Sequence, residues 1–467
     1  MHLEPKWRVL IVVNTGIFMS TLDGSILNIA NPTIAESLSV SLSQIQWLVT
    51  SYMLVITATL LFFGKLGDRK GRHKIYTYGF LIFVLGSLLC SFARVLSLLI
   101  GARIIQAFGA SMMMATGMGI VSTTFPANER GKALGLTASM VGIGNMTGPS
   151  LGGILVENFS WPVIFLINVP IGLTGFYLAN KFLISPFNTD TEDNNSDILG
   201  TLLMALALIL FLFSISKSGE INIAFLIISI VLFAIFIYTE RKTPDPLLDF
   251  ELFKNPNFVA GNILAFIAYS SQTFIIFLLP FYFENILKLS PANSGLLMTI
   301  PPVLMALTAP FAGNLSDRLG AVPLTSASFI LLTGAHLMLS RSVLTLNLET
   351  AILSLIILGA GMGSFGSPNN SSILGSVPPQ KSGYTGGFIS TVRNFSFSLG
   401  ISFSVSIFIY LLNRYQINMS YHKAYTKSLH YVYLISASLN LLGVILSIYT
   451  RKYRNIFWTT AKSEKSS

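Results

Sequence analysis

Cysteine is almost missing from this chain. Cys90 stands alone among 467 residues, so no intrachain disulfide can form and cysteine usage says nothing of the redox compartment. Charge is scarce too. Asp, Glu, Lys and Arg make up 10% of the residues, against roughly 25% in a soluble domain, which argues against a soluble globule and excludes a disordered or DNA-binding chain. The 29 basic residues outnumber the 19 acidic ones for a net charge of +10. They sit in short loops between apolar runs, where they act as topology signals and not as a nucleic-acid patch.

Catalytic and phosphate-binding motifs are absent as well. Gly64-Lys65 and Gly131-Lys132 are followed by Leu66 and Ala133, not by the Ser or Thr of a phosphate loop, so ATP is not expected as a direct fuel. Neither H-E-x-x-H nor G-x-S-x-G occurs and the five histidines are scattered, which leaves a metalloprotease or serine hydrolase without support. The chain reads as a non-enzyme with no metal and no cofactor beyond protons. No small-residue cleavage site follows Met1 to Trp7, so the first apolar run is expected to be retained.

Long apolar runs are what the chain has in abundance. Hydrophobic residues reach 52% and mean hydropathy is +0.69. A hydrocarbon core needs about 20 helical residues to cross, and a window of that size predicts fourteen spans, near 9–31, 46–64, 75–93, 98–122, 134–156, 162–183, 198–217, 221–239, 258–283, 293–314, 321–340, 347–371, 385–412 and 430–450. Helices are expected because backbone groups in lipid must be satisfied within the segment, and a barrel would show ten-residue alternation. The fold class is therefore an all-α polytopic membrane protein.

Lys6, Arg8, Lys65, Arg69, Lys70, Arg72, Lys74, Arg130, Lys132, Lys181, Arg241, Lys242, Lys254, Arg318, Lys381, Arg451, Lys452, Arg454, Lys462 and Lys465 fall on one side of this topology. Only Arg94, Lys217, Lys288, Arg341, Arg414, Lys423 and Lys427 fall on the other. The bias predicts that both termini face the cytoplasm.

Gly64-Lys65-Leu66-Gly67-Asp68-Arg69-Lys70-Gly71 recurs as Gly313-Asn314-Leu315-Ser316-Asp317-Arg318-Leu319-Gly320, sharing G-x-L-x-D-R-x-G. Both copies follow the second helix of a half, as parallel repeats require. Glycines let helix ends approach, and Asp68 with Arg69, Arg72 or Arg130 can latch one cytoplasmic arrangement through charge-assisted bonds. Retention of the loop in the cytoplasm is the simpler role for the same cations.

Asp23 is the one acid well inside a predicted span, and an intramembrane carboxylate is a functional-site hypothesis by default. On a helical wheel, Phe18, Met19, Leu22, Ile26 and Ile29 share one arc, with Gly16, Ser20, Thr21, Gly24, Ser25 and Asn28 on the remainder and Asp23 at its edge. A cavity side is expected there, with Asp23 as proton carrier; a fixed hydrogen-bonding partner would make it a structural acid instead.

Arg103 lies a few residues into the fourth span, facing the bundle or snorkelling to the interface. Gln106 lies near it in the same span, and Arg393 is a second embedded cation, suited to helix packing or to substrate contact. Gly144, Gly148 and Gly152 align on one face of the fifth span around Pro149, which predicts a tightly packed, bent helix with a gating role, or ordinary small-residue packing. Glu36, Glu157 and Glu284 fall near outer helix ends, Glu284 as a secondary coupling candidate. Tyr52, Met112, Met113, Tyr269, Gln272, Phe274 and Asn394 either line an apolar cavity or pack helices. Trp47 reads as an interfacial anchor.

Together these features resemble the major facilitators, and more narrowly the fourteen-helix drug:proton antiporters of the EmrB/QacA type. The likeness is carried by the loop repeat, by Leu22-Asp23 with Asn28-Ile29-Ala30-Asn31-Pro32, by Arg103-Ile104-Ile105-Gln106, by Gly144 to Gly153, by WPVIFLINVPIG from Trp161 to Gly172, and by Pro246-Leu247-Leu248 before Phe253. It implies two six-helix bundles, 1–184 and 258–450, with two additional helices in 185–257 and a cytoplasmic tail at 451–467. It also implies proton coupling through Asp23 and Arg103, and substrate contact at Asp23, Gln106 and Arg393.

The expected function is proton-coupled multidrug efflux of lipophilic, often cationic compounds by alternating access, from a monomer in a bacterial inner membrane. The expected partners are a small-molecule substrate and the lipid bilayer, not nucleic acid. A proton-linked transporter of one metabolite, antibiotic or lipid is the alternative. A receptor or scaffold without flux is a third reading, disfavoured because the longest loops, 413–429 and 240–257, are too short for a signalling domain.

Overall fold

The computed structural model describes residues 4–183, 198–216, 222–243 and 246–463; Lys217, Lys465 and the linker 184–197 lie outside the described residues. Among the described residues the chain is all-α. Helices occupy all fourteen expected positions: Pro5–Ser37, Leu42–Lys70, Arg72–Phe92, Leu96–Thr124, Ala127–Asn158, Val163–Phe182, Ile198–Ser216, Ile223–Glu240, Pro256–Asn285, Pro291–Leu319, Ala321–Thr345, Leu348–Leu374, Ser382–Gln416 and Tyr421–Ser463. They are numbered first to fourteenth below. Thirteen are long and apolar enough to cross a membrane; the fifth falls short because glycines and Ser, Thr and Asn dilute its apolar content.

Most helices outrun the hydropathy windows. The first has 33 residues, about 50 Å at 1.5 Å per residue, because a helix continues past the hydrocarbon into the interface while hydropathy sees only the buried part. The same holds at the carboxyl end. The fourteenth helix runs on to Ser463 where a separate tail from residue 451 was expected.

Local signals explain the ends. Proline opens the first, ninth and tenth helices at Pro5, Pro256 and Pro291, where its missing N–H costs nothing and its fixed φ suits the first turn. The Asn347 side chain accepts from Thr350 N–H at 2.8 Å at the start of the twelfth, a typical N-cap. The sixth span is interrupted at Ile167, between Val163–Leu166 and Asn168–Phe182. Pro170 has no N–H to offer the Leu166 carbonyl, so the ladder breaks there. The final glycines of the two repeat loops, Gly71 and Gly320, both take positive φ, +95° and +84°, joining consecutive helices in a conformation that side-chain-bearing residues avoid.

The fold divides into two compact units. One comprises Met1–Leu248, Ile276–Thr299 and Phe397–Ser406; the other comprises Asp249–Ile275, Ile300–Ser396 and Ile407–Ser467. The first has a core of Leu10, Val12, Val13, Tyr52, Phe80, Phe83 and Met113 among others. Its seventh and eighth helices present mostly lipid-facing side chains and are tied together by Ser229 Oγ donating to the Ala207 carbonyl at 2.8 Å. Trp47, expected as an interfacial anchor, stacks on Phe213 of the seventh helix with centroids 4.2 Å apart. The second unit has a smaller cluster of Leu252, Phe258, Ile373, Val377 and Ile389.

Within the first unit the glycine face of the fifth helix lies directly on the first. A β-carbon at Gly144 would meet Thr21, at Gly148 would meet Ser25, and at Gly152 would meet Ile26. Ser25 Oγ, meanwhile, donates to the Gly144 carbonyl at 3.0 Å. Small residues allow this approach, which gives dispersion contacts and a hydrogen bond where lipid offers no hydrophobic gain. Gly148→Val is therefore expected to lower stability by about 1–3 kcal/mol through overpacking, read as thermal unfolding in detergent. Gly142→Val, where a β-carbon meets nothing within 4 Å, should leave the unfolding temperature unchanged.

Candidate functional site

The first helix carries Asp23 in a stretch where Leu22, Ser25, Ile26 and Leu27 are all buried, and Asp23 itself is 1% exposed. The fourth helix presents Arg103 and Gln106 one turn apart on a common face. Both are 0% exposed. The carboxylate and guanidinium meet directly: Arg103 Nη1 donates to Asp23 Oδ2 at 2.5 Å.

The other carboxylate oxygen, Oδ1, accepts from Gln106 Nε2 and from Asn168 Nδ2, each at 2.8 Å. Gln106 serves both partners, for its Oε1 accepts from Arg103 Nη1 at 2.7 Å while its Nε2 also donates to Ser87 Oγ on the third helix at 2.8 Å. Asn168 arrives because the break at Ile167 starts a new helical segment there. The Tyr52 ring lies 4.0 Å from the guanidinium carbon and that of Phe165 5.8 Å away, so aromatic faces cover the cation. Five helices, the first, second, third, fourth and sixth, thus converge on one buried ion pair.

This differs from the expected water-facing cavity. Asp23 has its negative charge fully engaged by a cation and two amides, in a site with almost no solvent exposure. Nor does Arg103 snorkel; it points into the bundle. Tyr52 covers the arginine. Three polar atoms around the knot remain without a protein partner, Arg103 Nε, Asn168 Oδ1 and the Tyr52 hydroxyl. They give the knot spare donors and acceptors for a rearranged state.

The other candidates lie elsewhere. Asp68 binds Arg72 Nε at 2.5 Å, while Arg130 is exposed, so the anticipated Asp68–Arg130 latch is not formed. The pair spans only the Gly71 junction between the second and third helices, four residues apart, so it forms without the fifth helix. Asp317 and Arg318 are exposed, and a β-carbon on Gly64 would meet nothing within 4 Å. Gly144, Gly148 and Gly152 pack on the first helix as described, and Pro149 sits inside the uninterrupted fifth helix.

In the second unit Arg393 is half-buried, with its charge acting on Tyr269. Glu157 accepts the Ala292 N–H at 2.9 Å, capping the tenth helix. Glu284 is half-buried with one carboxylate oxygen unpartnered, and Glu36 is exposed.

Sequence reasoning brought Asp23, Arg103 and Gln106 forward, and the structure joins all three. It missed Asn168 and Ser87 as partners. A signal for Asn168 was available: a carboxamide just before Pro170, inside an apolar span.

With this geometry in view, the comparisons with known proteins are decisive for the family. The sequence matches the Major Facilitator Superfamily profile over residues 13–401 and again over 261–462. The chain belongs to the major facilitator superfamily. It is 49% identical to the riboflavin transporter RibZ of Clostridioides difficile (strain 630), over 96% of this chain and 98% of that one. It is 28% identical to the tetracenomycin C resistance and export protein of Streptomyces glaucescens, over 84% and 74%. In fold it is similar to an inward-facing, unoccupied bacterial homologue of the human lysosomal transporter Spinster, with a TM-score of 0.70 at 14% identity over 96% and 97% of the chains. As a major facilitator it is a multi-pass membrane transport protein for small molecules and not an enzyme.

A double-mutant cycle probes the knot. Asp23→Asn leaves the Arg103 charge buried without a counter-ion and Arg103→Gln leaves the carboxylate without its cation. Each is expected to cost roughly 3–5 kcal/mol, while the neutral double variant recovers a large part of the sum. Thermal unfolding in lipid nanodiscs measures this; strict additivity would mean that the two charges do not stabilise one another.

Proposed function

We propose that this major facilitator moves riboflavin, or a flavin close to it, across a bacterial inner membrane, coupled to protons through the Asp23–Arg103 pair. The carrying observation is the 49% identity to a riboflavin transporter over almost the full length of both chains. This favours a dedicated metabolite over the broad export of cations expected from sequence. The site agrees with that choice. An aspartate whose charge is already matched by Arg103, Gln106 and Asn168 has no free anion to hold a lipophilic cation, whereas a neutral, aromatic, hydrogen-bonding substrate needs none. The relatives named for resistance and export, at 28% identity, support antibiotic export as the second reading.

Coupling follows from the ion pair. A proton on Asp23 cancels the anion and leaves Arg103 as an uncompensated cation at membrane depth, which is costly. Protonation therefore weakens the enclosed arrangement relative to one in which the guanidinium is rehydrated or re-paired. A ligand or proton shifts a conformational equilibrium only by its differential affinity for the two states, and this pair supplies that difference. Rocking about a central site then exchanges access. The chain works as a monomer with both termini in the cytoplasm, and the ends of the second and tenth helices with the Gly71 junction carry Gly64, Arg69, Asp317 and Arg318 as elements of that gating.

Proteoliposomes of the purified chain test the reading. Saturable riboflavin counterflow, and riboflavin movement driven by an imposed pH gradient in one direction, are the expected results. Asp23→Asn should keep counterflow but lose at least about tenfold in gradient-driven flux, the scale of 1.4 kcal/mol of coupling. Cationic dyes moving in place of riboflavin would favour drug export, and no flux of either would favour a receptor or scaffold.

A further inference from the structure

Outside the ion-pair knot, the second unit holds an ionisable group that the transport reading does not use. His336 is residue 16 of the 25 in the eleventh helix and 0% exposed. Ser271, residue 16 of the 30 in the ninth helix, is equally buried, as are Ser436 and Asn440 of the fourteenth. The four form one polar network at mid-membrane depth, where an ionisable side chain is by default a functional candidate.

The distances state the chemistry. His336 Nδ1 lies 2.7 Å from the Leu332 carbonyl oxygen of its own helix, and Nε2 lies 3.1 Å from the Ser271 carbonyl oxygen of the ninth. A carbonyl oxygen only accepts, and a neutral imidazole has one N–H. Both contacts are hydrogen bonds only when both ring nitrogens carry a hydrogen.

In either neutral tautomer one ring lone pair faces a carbonyl lone pair. With the hydrogen on Nδ1, the Ser271 contact is repulsive. With it on Nε2, Nδ1 accepts from Asn440 Nδ2 at a long 3.4 Å while still facing the Leu332 carbonyl. The remaining groups are committed elsewhere: Ser271 Oγ donates to Asn440 Oδ1 at 2.9 Å, Asn440 Nδ2 to the Ser436 carbonyl at 3.0 Å, and Ser436 Oγ to the Ser271 carbonyl at 3.3 Å.

Charged neighbours do not account for the arrangement. Among the described residues none acts on His336. On the helices around it, the ninth carries Tyr269 within this unit, the twelfth only Glu349 in its first turn, the eleventh itself Arg341, and the fourteenth, up to residue 450, Tyr421, His422, Lys423, Tyr425, Lys427, His430, Tyr431, Tyr433 and Tyr449. His430 is bonded to Ser340, at 2.7 Å to its Oγ and 3.0 Å to its carbonyl.

We propose that His336 is a second proton-binding group of this transporter, placed so that the proton it takes ties the eleventh helix to the ninth through the Ser271 carbonyl. The shorter contact, 2.7 Å from Nδ1 to the Leu332 carbonyl, places the neutral ring's hydrogen on Nδ1; Nε2 then faces the Ser271 carbonyl with a lone pair, and the two helices are free to shift against each other. Ordinary polar packing is met by Ser271, Ser436 and Asn440 among themselves. An imidazole between two carbonyl oxygens adds what those residues cannot, a contact whose sign depends on a proton.

Two readouts on the full chain in lipid test this. Nitrogen-15 magnetic resonance of histidine-labelled protein, with the His336 signal identified by its loss in His336→Gln, is expected to show a ring passing from one to two protonated nitrogens as the pH is lowered. A ring that keeps one neutral tautomer throughout overturns the proposal. If His336→Gln does not fold, substituting the other four histidines isolates the same signal. This readout needs no substrate, so its outcome is independent of the riboflavin reading.

In proteoliposomes, the wild-type pH dependence of gradient-driven riboflavin flux is expected to fall by at least about twofold in His336→Gln, with riboflavin counterflow at constant pH retained. Glutamine keeps a donor and an acceptor but cannot take the proton. A variant whose pH profile overlays the wild type likewise overturns the proposal.

Discussion

A carboxylate and a guanidinium, both dry, in contact and inside the membrane, are the constraint on which the rest of the amino-terminal half depends. Two unit charges about 4 Å apart attract by about 1 kcal/mol in water and by about 4 kcal/mol at the effective dielectric of a protein. The gain offsets the loss of hydration only if every remaining lone pair and N–H nearby is used well. That requirement explains the neighbourhood. Gln106 bridges the two charges and reaches Ser87; Asn168 fills the second oxygen of Asp23; Tyr52 and Phe165 lay aromatic faces on the cation. The interruption of the sixth span, a defect by helix propensity, brings Asn168 to the carboxylate.

The first helix is consequently held in two different ways. On one side the ion pair and its amides fix it to the third, fourth and sixth helices by directional bonds. On the other, the glycine face of the fifth helix touches it through backbone and small side chains, with the Ser25 to Gly144 bond along that face and a Lys6–Glu129 ion pair at the helix ends. Contacts of the second kind have few directional terms, so they tolerate sliding better than the polar knot does. In the proposed coupling a change of protonation at Asp23 would act on the directional side, while the smooth side would supply the surface along which the helix responds.

Much of this was legible in the residues. Hydropathy placed all fourteen helices because lipid demands apolar length, and the helix bounds overran the windows because the interface does not. Asp23, Arg103 and Gln106 were legible because a charge at membrane depth is rare enough to require an explanation. Other features depend on which neighbours fold together. Asp68 takes Arg72 instead of the distant Arg130, since four residues across the tight Gly71 junction bring them together before any long-range packing is needed. Asp23 is sealed, not hydrated, because its partners come from four other helices that no periodicity in the first span records. Asn168 and Ser87 lie 145 and 64 residues from Asp23 in sequence. His336 was passed over because scattered histidines suggest no metal site, although a lone imidazole in the middle of an apolar helix was the visible signal.

In the proposed coupling the two halves answer a proton in opposite ways. At Asp23, adding a proton removes an anion, and the bond it weakens is one the folded arrangement already makes. At His336, with the neutral ring's hydrogen on Nδ1, the proposed proton adds a donor at Nε2 where two lone pairs were opposed, and the bond it makes joins the ninth and eleventh helices. Each event adds one positive charge to a dry site, so neither state is comfortable, and each is relieved by movement of the helices that hold it. A transporter needs that property. A site indifferent to its proton could hold the fold together but could not convert a gradient into a change of conformation, because the proton would bind both states equally and shift neither.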